Sequence, residues 1–363
     1  MQSPEIQRRV SRAVRVGALT IGGSAPVSVQ SMTNTPTSDA AATLRQIDAL
    51  AAAGAELVRV AVPAAADTQA LGDIVKRSPV PIAADVHFHF QRALEAIDAG
   101  VAKIRLNPGN LGDRDQVRRV IRSAAGAGVA IRVGVNEGSV VDRSDPTRRA
   151  ADQAKPLHEL MADKLGEYLA VFQEESFDRL VLSAKSHDAF TTVAANRLIA
   201  ARWPWPLHLG VTHAGTAATG AIRSAAALGA LLAEGIGDTV RISYAGDPVP
   251  EVTAAWDLLA ALRLRPRRGV DLIACRTCGR LQTDITPIVD ALQHALAGVK
   301  APLTVAIMGC VVNGPGEADS ADVAVCAGAG KAILYRRGVR LRTIPADQIV
   351  QAVLAEVNDL AGQ

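Results

Sequence analysis

The sequence predicts an α/β fold in two parts, a TIM (β/α)8 barrel over residues 1–264 and a small α+β domain over residues 265–363. Three observations predict it. Eight β-rich runs alternate with Ala-rich helical stretches over about 250 residues, the usual length of such a barrel. The basic stretch "RLRPRRGV" (263–270) is typical of a domain boundary. The residues after it mix short strands with two helices and contain all four cysteines.

The barrel strands are predicted from short apolar runs that are rich in β-branched residues. Between them, stretches such as "DAAATLRQIDALAAAG" carry apolar residues at helical spacing and often end in glycine. A doubly wound open sheet is the competing architecture, and eight units favour closure. The predicted barrel strands are residues 27–32, 57–62, 81–86, 103–108, 130–135, 179–185, 206–212 and 239–244, and those of the second domain are 303–308, 321–326 and 331–337.

Composition excludes several classes of protein. Hydrophobic residues make up 49% of the chain and charged residues 21%, which is enough for a large core. Aromatic residues make up 3% and the net charge is +3, which counts against a nucleic-acid partner. No apolar h-region follows the basic N-terminus, and no run of 18 apolar residues indicates a membrane span. We therefore expect a cytoplasmic protein whose four cysteines serve a metal or catalysis.

Polar residues of one parity along the strands are expected to share the inner face of the barrel. This face carries four arginines and one lysine against few acids, chiefly Asp85. Internal ion pairs are one explanation, but too few acids are available, and uncompensated buried cations are costly. We predict a small phosphorylated or diphosphorylated substrate at the barrel mouth. The inner-face residues are Arg59, Asp85, His87, Arg105, Asn107, Arg132, Asn136, Lys185, His208, Thr212, Arg241 and Ser243.

Three cysteines in two predicted loops indicate a metal site. Cys275 and Cys278 stand in "ACRTCGR", and Cys310 stands in "IMGCVVNGPGE". Structural zinc and a 4Fe-4S cluster each take four ligands, so a fourth is needed. Cys326 lies in a strand-like run and is expected to be a buried core residue, as small apolar thiols often are. His294 lies in the middle of a predicted helix, "DALQHALAG".

Glu317 is the candidate fourth ligand, because the turn "NGPG" could fold it back towards the metal. A carboxylate is a harder ligand than a thiolate, so it would hold one iron more weakly. That iron would be open to a substrate oxygen, which a purely electron-carrying cluster does not need. Three cysteines plus Glu317 therefore form a hypothesis for a catalytic cluster.

These motifs resemble a known family, the bacterial 4-hydroxy-3-methylbut-2-enyl diphosphate synthases of the non-mevalonate isoprenoid pathway. The resemblance rests on "VQSMTNT", "ELVRVAVP", "ADVHF", "IRLNPGN", "IRVGVNEGS", "LHLGVT", "LLAEGIGDTVRIS", "ACRTCGR" and "GCVVNGPGE". It implies a TIM barrel joined to an iron–sulfur domain, with a 4Fe-4S cluster held by Cys275, Cys278, Cys310 and Glu317. The metal is then iron, and Glu317 replaces the missing fourth thiolate.

The resemblance also implies the reaction. It is the two-electron reductive ring opening of 2-C-methyl-D-erythritol 2,4-cyclodiphosphate, with loss of water, to (E)-4-hydroxy-3-methylbut-2-enyl diphosphate. Flavodoxin or ferredoxin would supply the electrons to a cytoplasmic homodimer that has no nucleic-acid or membrane partner. The diphosphate would be bound by residues that the inner-face pattern also selects, namely Arg59, Arg105, Arg132, Asn136, Lys185 and Ser243.

The chain departs from the family pattern near the expected chemistry. It reads "THAG" where "TEAG" is usual, so His213 stands in place of a glutamate, and it also reads "HFHF" and "SYAGDP". We expect His213 to handle the proton, because the pKa of histidine lies near neutral pH. His87 is the next candidate. Catalytic roles are also predicted for Glu317, as the exchangeable ligand, and for Asp85.

Two other functions stay open at this point. A barrel enzyme could act on another anionic ring compound, such as a pterin, and carry a structural metal site in its second domain. A regulatory iron–sulfur protein could bind nucleic acid through "RPRR" and the N-terminal arginines, although the near-neutral charge and scarce aromatics count against it.

Overall fold

The computed structural model describes residues 5–86, 89–106, 113–141, 145–212, 215–275, 278–310, 316 and 319–362. The chain forms two compact units, Met1–Arg265 and Pro266–Gln363. The first contains an eight-stranded parallel sheet and the second a separate five-stranded sheet. The predicted fold class, a TIM barrel followed by a small α+β domain, is therefore confirmed.

The barrel sheet curls round until its two ends meet. Its strand order is β8-β7-β6-β5-β4-β3-β10-β9, and a parallel bridge between Leu182 and Leu207 joins the ends. The eight strands are β3 (Ser28–Met32), β4 (Leu57–Ala61), β5 (Ile82–Asp85), β6 (Lys103–Leu106), β7 (Ala130–Asn136), β8 (Leu180–Lys185), β9 (His208–Leu209) and β10 (Thr239–Val240).

The last two barrel strands are shorter than predicted. The sequence pattern favours strands over 206–212 and 239–244, and regular pairing is confined to two residues in each. The Leu207 N–H donates to the Asp238 carboxylate at 2.8 Å and not to a neighbouring strand, so regular pairing begins at His208.

Helices cover the outside of the barrel. Strand residues of outward parity, such as Val58, Val60 and Ile104, are fully buried beneath them in one apolar core. Asp39 caps the first helix by accepting from the Ala42 N–H. The helices are α1 (Ala40–Ala53), α2 (Ala65–Arg77), α3 (Phe90–Asp98), α4 (Arg114–Ala127), α5 (Pro146–Gln153), α6 (Leu157–Glu174), α7 (Ala189–Arg202), α8 (Ala217–Ala233) and α9 (Val249–Ala261).

An N-terminal hairpin, which the sequence pattern did not predict, covers the amino-terminal end of the barrel. Its strands are β1 (Val14–Val16) and β2 (Leu19–Ile21), and they pair antiparallel. Val14, Val16 and Ile21 pack against apolar residues at or near the strand starts, including Leu57 and Ala130. Among the described residues, no such hairpin covers the carboxyl-terminal end of the strands, where barrel enzymes place their sites.

The second unit packs two helices on one face of its sheet. The strand order is β11-β12-β13-β14-β15, parallel from β11 to β13 and antiparallel beyond. The pattern missed its two outer strands, which are more exposed than the inner ones. The elements are β11 (Asp271–Ala274), α10 (Thr286–Leu296), β12 (Thr304–Met308), β13 (Val323–Ala327), β14 (Lys331–Arg336), β15 (Val339–Pro345) and α11 (Ile349–Ala361).

Candidate active site

A polar cavity of about 150 Å³ opens at the carboxyl-terminal end of the barrel strands. All six residues predicted to bind the substrate line it, and so does Asp85, one of the predicted catalytic residues. The lining consists of Arg59, Asp85, Arg105, Arg132, Asn136, Ser183, Lys185, Val211, Thr212, Arg241 and Ser243. The cations predicted on the inner face of the barrel therefore lie together around this cavity.

The register of the parallel strands sets the level of each polar side chain. Asp85, Arg105 and Arg132 are paired neighbours on β5, β6 and β7, so their side chains enter the barrel side by side. Asn136 pairs with Lys185 two inward positions nearer the mouth. Gly134 lies between Arg132 and Asn136 on the same strand, and a Cβ there would lie 2.3 Å from the Ser183 hydroxyl oxygen. The absence of that Cβ leaves room for Ser183 to line the cavity.

Two carboxylates partly compensate the cations. Asp85 lies between two arginines, with its Oδ2 at 3.4 Å from Arg59 Nε and its Oδ1 at 3.4 Å from Arg105 Nη1. Glu251, on helix α9, lies 3.7 Å from Arg241 Nη2. The strand pattern could not reveal Glu251, because it comes from a helix outside the sheet. Five cations still face two carboxylates, so the cavity is electropositive.

Arg132 is a buried cation that the described protein groups leave partly unsatisfied. It is 3% exposed, and its buried Nε and Nη1 have no hydrogen-bond partner among the described residues. Burial, followed by the positive charges of Arg59 and Arg105, holds the pKa of Arg132 well below its ordinary value. A buried guanidinium with unsatisfied N–H groups favours the binding of an anion that accepts hydrogen bonds from them.

Lys185 lies beside a second basic side chain. Its Nζ is 3.1 Å from Nε2 of His208, which is fully buried. The pKa of Lys185 is well below its ordinary value, because of burial first and then Arg132 and Arg59. A Cβ on Gly210 would lie 2.7 Å from Lys185 Nζ, so glycine makes space for this amine.

Beneath the cavity lies a further lysine that the sequence reasoning overlooked. Lys103 is 1% exposed, and its Nζ donates to Gln30 Oε1 at 2.9 Å. Burial, with Arg132 and Arg59 nearby, holds its pKa well below the ordinary value. The parity rule could have found it, because Lys103 stands two residues before Arg105 on the same strand.

Glu137 joins two loops at the barrel mouth. It follows Asn136 of β7 and accepts hydrogen bonds from the hydroxyl of Ser186 and from the backbone N–H of His187, both just after Lys185 of β8. His187 Nδ1 lies 2.5 Å from Glu137 Oε1. Although burial opposes it, hydrogen bonds from Ser186 and His187 lower the pKa of Glu137. These contacts tie together the ends of β7 and β8, where Asn136 and Lys185 lie. The alternation of residues along the strands gives no sign of them.

Several predicted residues lie outside the described part of the chain. The proton-handling candidates His87 and His213 are among them, as are the inner-face residue Asn107 and the proposed iron ligand Glu317. Their roles remain predictions.

The second unit brings the three loop cysteines to one edge of its sheet. Cys275 follows β11 and Cys310 follows β12, and these strands are parallel neighbours. Cys275 Sγ accepts from the Gly309 N–H at 3.1 Å. The loop of Cys278 is tied to the same place, since the Gln282 N–H donates to the Gly309 carbonyl at 3.0 Å.

The three thiols fit an iron–sulfur cluster by donor chemistry. Soft thiolates are the usual cluster ligands, and N–H donation to sulfur is typical around clusters. Within the described residues alone, no three His, Cys, Asp or Glu side chains are grouped closely enough to hold a metal ion. The cluster itself is therefore taken up under Proposed function.

Cys326 and His294 differ from the loop cysteines. Cys326 is fully buried in β13, as expected of a core residue. Burial, aided by Cys310 and Cys275, raises the pKa of its thiol to about 11. His294 is exposed on α10, and its Nδ1 lies 2.7 Å from the Asp290 carbonyl oxygen of its own helix.

Comparison with known proteins matches both units in chain order. Residues 11–256 match the GcpE TIM-barrel domain, and residues 271–359 match the GcpE protein C-terminal domain. The chain belongs to the GcpE family. The resemblance inferred from the motifs is thereby confirmed, and neither alternative function is favoured for a member of this family.

Curated GcpE relatives are similar over nearly their whole length. One from Geobacter sulfurreducens is 46% identical over 97% of this chain and 98% of that protein. One from Bifidobacterium longum is 46% identical over 100% of this chain and 89% of that protein. Both are named 4-hydroxy-3-methylbut-2-en-1-yl diphosphate synthase (flavodoxin).

A more distant likeness concerns the fold of the GcpE barrel. A dihydropteroate synthase from Xanthomonas albilineans aligns over 70% of this chain and 98% of that one, with a TM-score of 0.47 and 14% sequence identity. This likeness is too weak to bear on function. In the part of the GcpE chain that is described, no helix combines the length and apolar character needed to cross a bilayer.

Proposed function

We propose that this protein catalyses the reductive ring opening of 2-C-methyl-D-erythritol 2,4-cyclodiphosphate to (E)-4-hydroxy-3-methylbut-2-enyl diphosphate. This activity makes it an oxidoreductase of isoprenoid precursor biosynthesis, and the name of its relatives gives the same product and flavodoxin. The observation that carries the proposal is the buried cationic cavity, with five cations and one lining carboxylate. Such a cavity suits a compact substrate with two phosphates.

The barrel residues would bind the diphosphate and stabilise the charge that develops on it. When the C2–O bond to phosphate breaks and the C3 hydroxyl leaves as water, two electrons and one proton are taken up. The freed phosphate oxygen then carries an additional negative charge. Preorganised cations such as Arg132, Lys185 and Arg241 would stabilise that charge as it forms, which is a large source of catalysis in a site shielded from water.

Asn136 and Ser243 would complete the phosphate site as neutral donors. Both line the cavity, and Asn136 is held in place because Glu137 next to it is tied to Ser186. Asp85 would hold Arg59 and Arg105 in position through its two ion pairs. Its catalytic role, predicted from the sequence, is then to orient cations.

Cys275, Cys278, Cys310 and Glu317 would hold the 4Fe-4S cluster. When bound, the cluster would supply two electrons, one at a time, and an iron that accepts a substrate oxygen. Cys326 would stay outside this set because it is a strand residue buried in the sheet. Reduced flavodoxin is the proposed donor, with ferredoxin as the alternative, and the protein would act as a cytoplasmic homodimer. Light scattering of the holoenzyme tests the dimer.

Turnover under anaerobic conditions tests the function. The purified brown protein, the cyclic diphosphate and reduced flavodoxin should give 4-hydroxy-3-methylbut-2-enyl diphosphate, identified by mass spectrometry. A donor that is oxidised without formation of this product, by protein with a full cluster, would refute the assignment. Replacing reduced flavodoxin with reduced ferredoxin in the same assay distinguishes the two donors.

His213 is the proposed proton donor to the departing water, with His87 as the reserve. The proposal rests on the position of His213 just after Thr212, which lines the cavity. His213→Gln should lose most activity, whereas His213→Glu should retain much of it, because glutamate can also donate a proton. Equal rates for His, Gln and Glu at position 213 from pH 6 to 9 would show that His213 does not donate the proton. The same substitutions would then be tested at His87.

A further inference from the structure

Two basic side chains share a hydrogen bond at the base of the cavity. Lys185 Nζ and His208 Nε2 are 3.1 Å apart, and the residues are 8% and 0% exposed. A hydrogen bond between an amine and an imidazole nitrogen needs one donor and one acceptor, so the two facing nitrogens cannot both be fully protonated. The pair can therefore carry at most one positive charge.

We propose that Lys185 and His208 form a proton-accepting pair, which takes up one proton when the diphosphate enters the cavity and returns it when the product leaves. Lys185 would carry the proton towards the phosphate, and His208 would be the positioning residue that accepts its hydrogen bond from below. The inference rests on the proposed function and adds a proton-linked step to it.

The surroundings of Lys185 and His208 disfavour a positive charge on the pair while the cavity holds no anion. The positive groups that face it come from β4, β6, β7 and the segment after β10, and the acids are already engaged by arginines. Burial is the main reason that the pKa values of both members lie well below their ordinary values. The facing groups are Arg59, Lys103, Arg105, Arg132 and Arg241, with Asp85 held by Arg59 and Arg105, and Glu251 held near Arg241.

An anion reverses this balance. A phosphate beside Lys185 favours the ammonium form and raises the pKa of Lys185 in the complex. Between the pKa of the free enzyme and that of the complex, binding takes up a proton, so affinity falls by up to about tenfold for each unit of rising pH. Below the lower pKa the lysine is already charged, and binding takes up none.

His208 and Gly210 fix the place of the amine. Neutral imidazole accepts from the ammonium through Nε2, while His208 Nδ1 has no partner among the described residues. On the other side, the missing Cβ of Gly210 leaves the Lys185 amine its space, since a Cβ would lie 2.7 Å from Nζ. Both residues would act through Lys185 and not through direct contact with the substrate.

Calorimetry on the oxidised holoenzyme tests the proposal without turnover. The cyclic diphosphate is titrated anaerobically from pH 6 to 9, in buffers that differ in ionisation enthalpy. Each phosphorus of this ligand has a single, strongly acidic oxygen, so the ligand itself does not titrate in this range. We expect proton uptake to approach about one per site at the pH of its maximum, and to fall sharply in Lys185→Gln.

Variants at His208 and Gly210 distinguish a role in proton uptake from a purely structural role. His208→Leu should move the fall in affinity to lower pH, because the ammonium loses its acceptor, and His208→Gln should partly restore it. Gly210→Ala keeps every charge, but its Cβ would displace the Lys185 amine. It should therefore reduce proton uptake to the level of Lys185→Gln.

Each outcome has a distinct meaning. Binding with equal uptake in the unaltered protein and Lys185→Gln would overturn the pair. A pH profile unchanged in His208→Leu would reduce His208 to packing. Absence of binding to the folded holoenzyme would overturn the proposed function itself.

Discussion

Replacing Cys310 with serine is expected to remove the 4Fe-4S cluster and, with it, all measurable turnover. Serine is a much poorer ligand for iron than thiolate. The cluster has only three thiolate ligands, one fewer than the usual four, before the change. Cys310 lies at the sheet edge beside the loop that carries Cys275. Iron and acid-labile sulfide analysis, together with the visible absorption of anaerobically purified protein, measures the loss directly.

Cys326→Ala is the matched control, because it removes the one cysteine that is buried within the sheet. It leaves a small cavity, so some stability should be lost, about 1 kcal/mol for a group of this size. The iron content should stay that of the unaltered protein. A depletion of iron as deep in Cys326→Ala as in Cys310→Ser would mean that the ligand set is wrong.

Replacing Arg132 with methionine should make the free protein more stable and the enzyme much slower. The guanidinium is buried, and two of its nitrogens have no partner among the described residues, so removing the charge relieves desolvation and repulsion. A gain of about 1 kcal/mol would raise the melting temperature by about 2–4 °C. Loss of a charge-assisted bond to phosphate, worth roughly 1.5–3 kcal/mol, should lower kcat/KM at least about tenfold.

Arg197→Met is the control for a surface cation, since Arg197 pairs with Glu234 at the exposed face of the barrel. Exposed pairs contribute little, so neither stability nor kcat/KM should change much. Thermal denaturation and steady-state kinetics of both variants supply the comparison. A destabilised Arg132→Met with unchanged kcat/KM would show that Arg132 serves the fold and not the substrate.

Strand periodicity predicted the barrel and most of its cavity for a simple physical reason. In a parallel barrel the inward residues of every strand converge, so the parity that puts Arg105 and Arg132 inside also puts them together. Lys103 obeys the same rule and was overlooked. Glu251 and Glu137 lie on a helix and a short turn, where strand parity says nothing.

The cluster depends on a different kind of inference. Spacing along the chain distinguished the loop cysteines from Cys326, because only Cys326 lies in an alternating apolar run, and its burial agrees with this. Spacing could not choose between zinc and iron, nor establish Glu317 as a ligand. Those statements come from family resemblance, since ligand geometry depends on how two distant loops fold towards each other.

The central claim is that the electropositive cavity of the barrel binds the diphosphate. An anaerobic crystal structure of the holoenzyme with the cyclic diphosphate tests it most directly. We predict phosphate oxygens within hydrogen-bond distance of Arg132 and Lys185. A ligand bound elsewhere, with only water beside Arg132, would contradict the account.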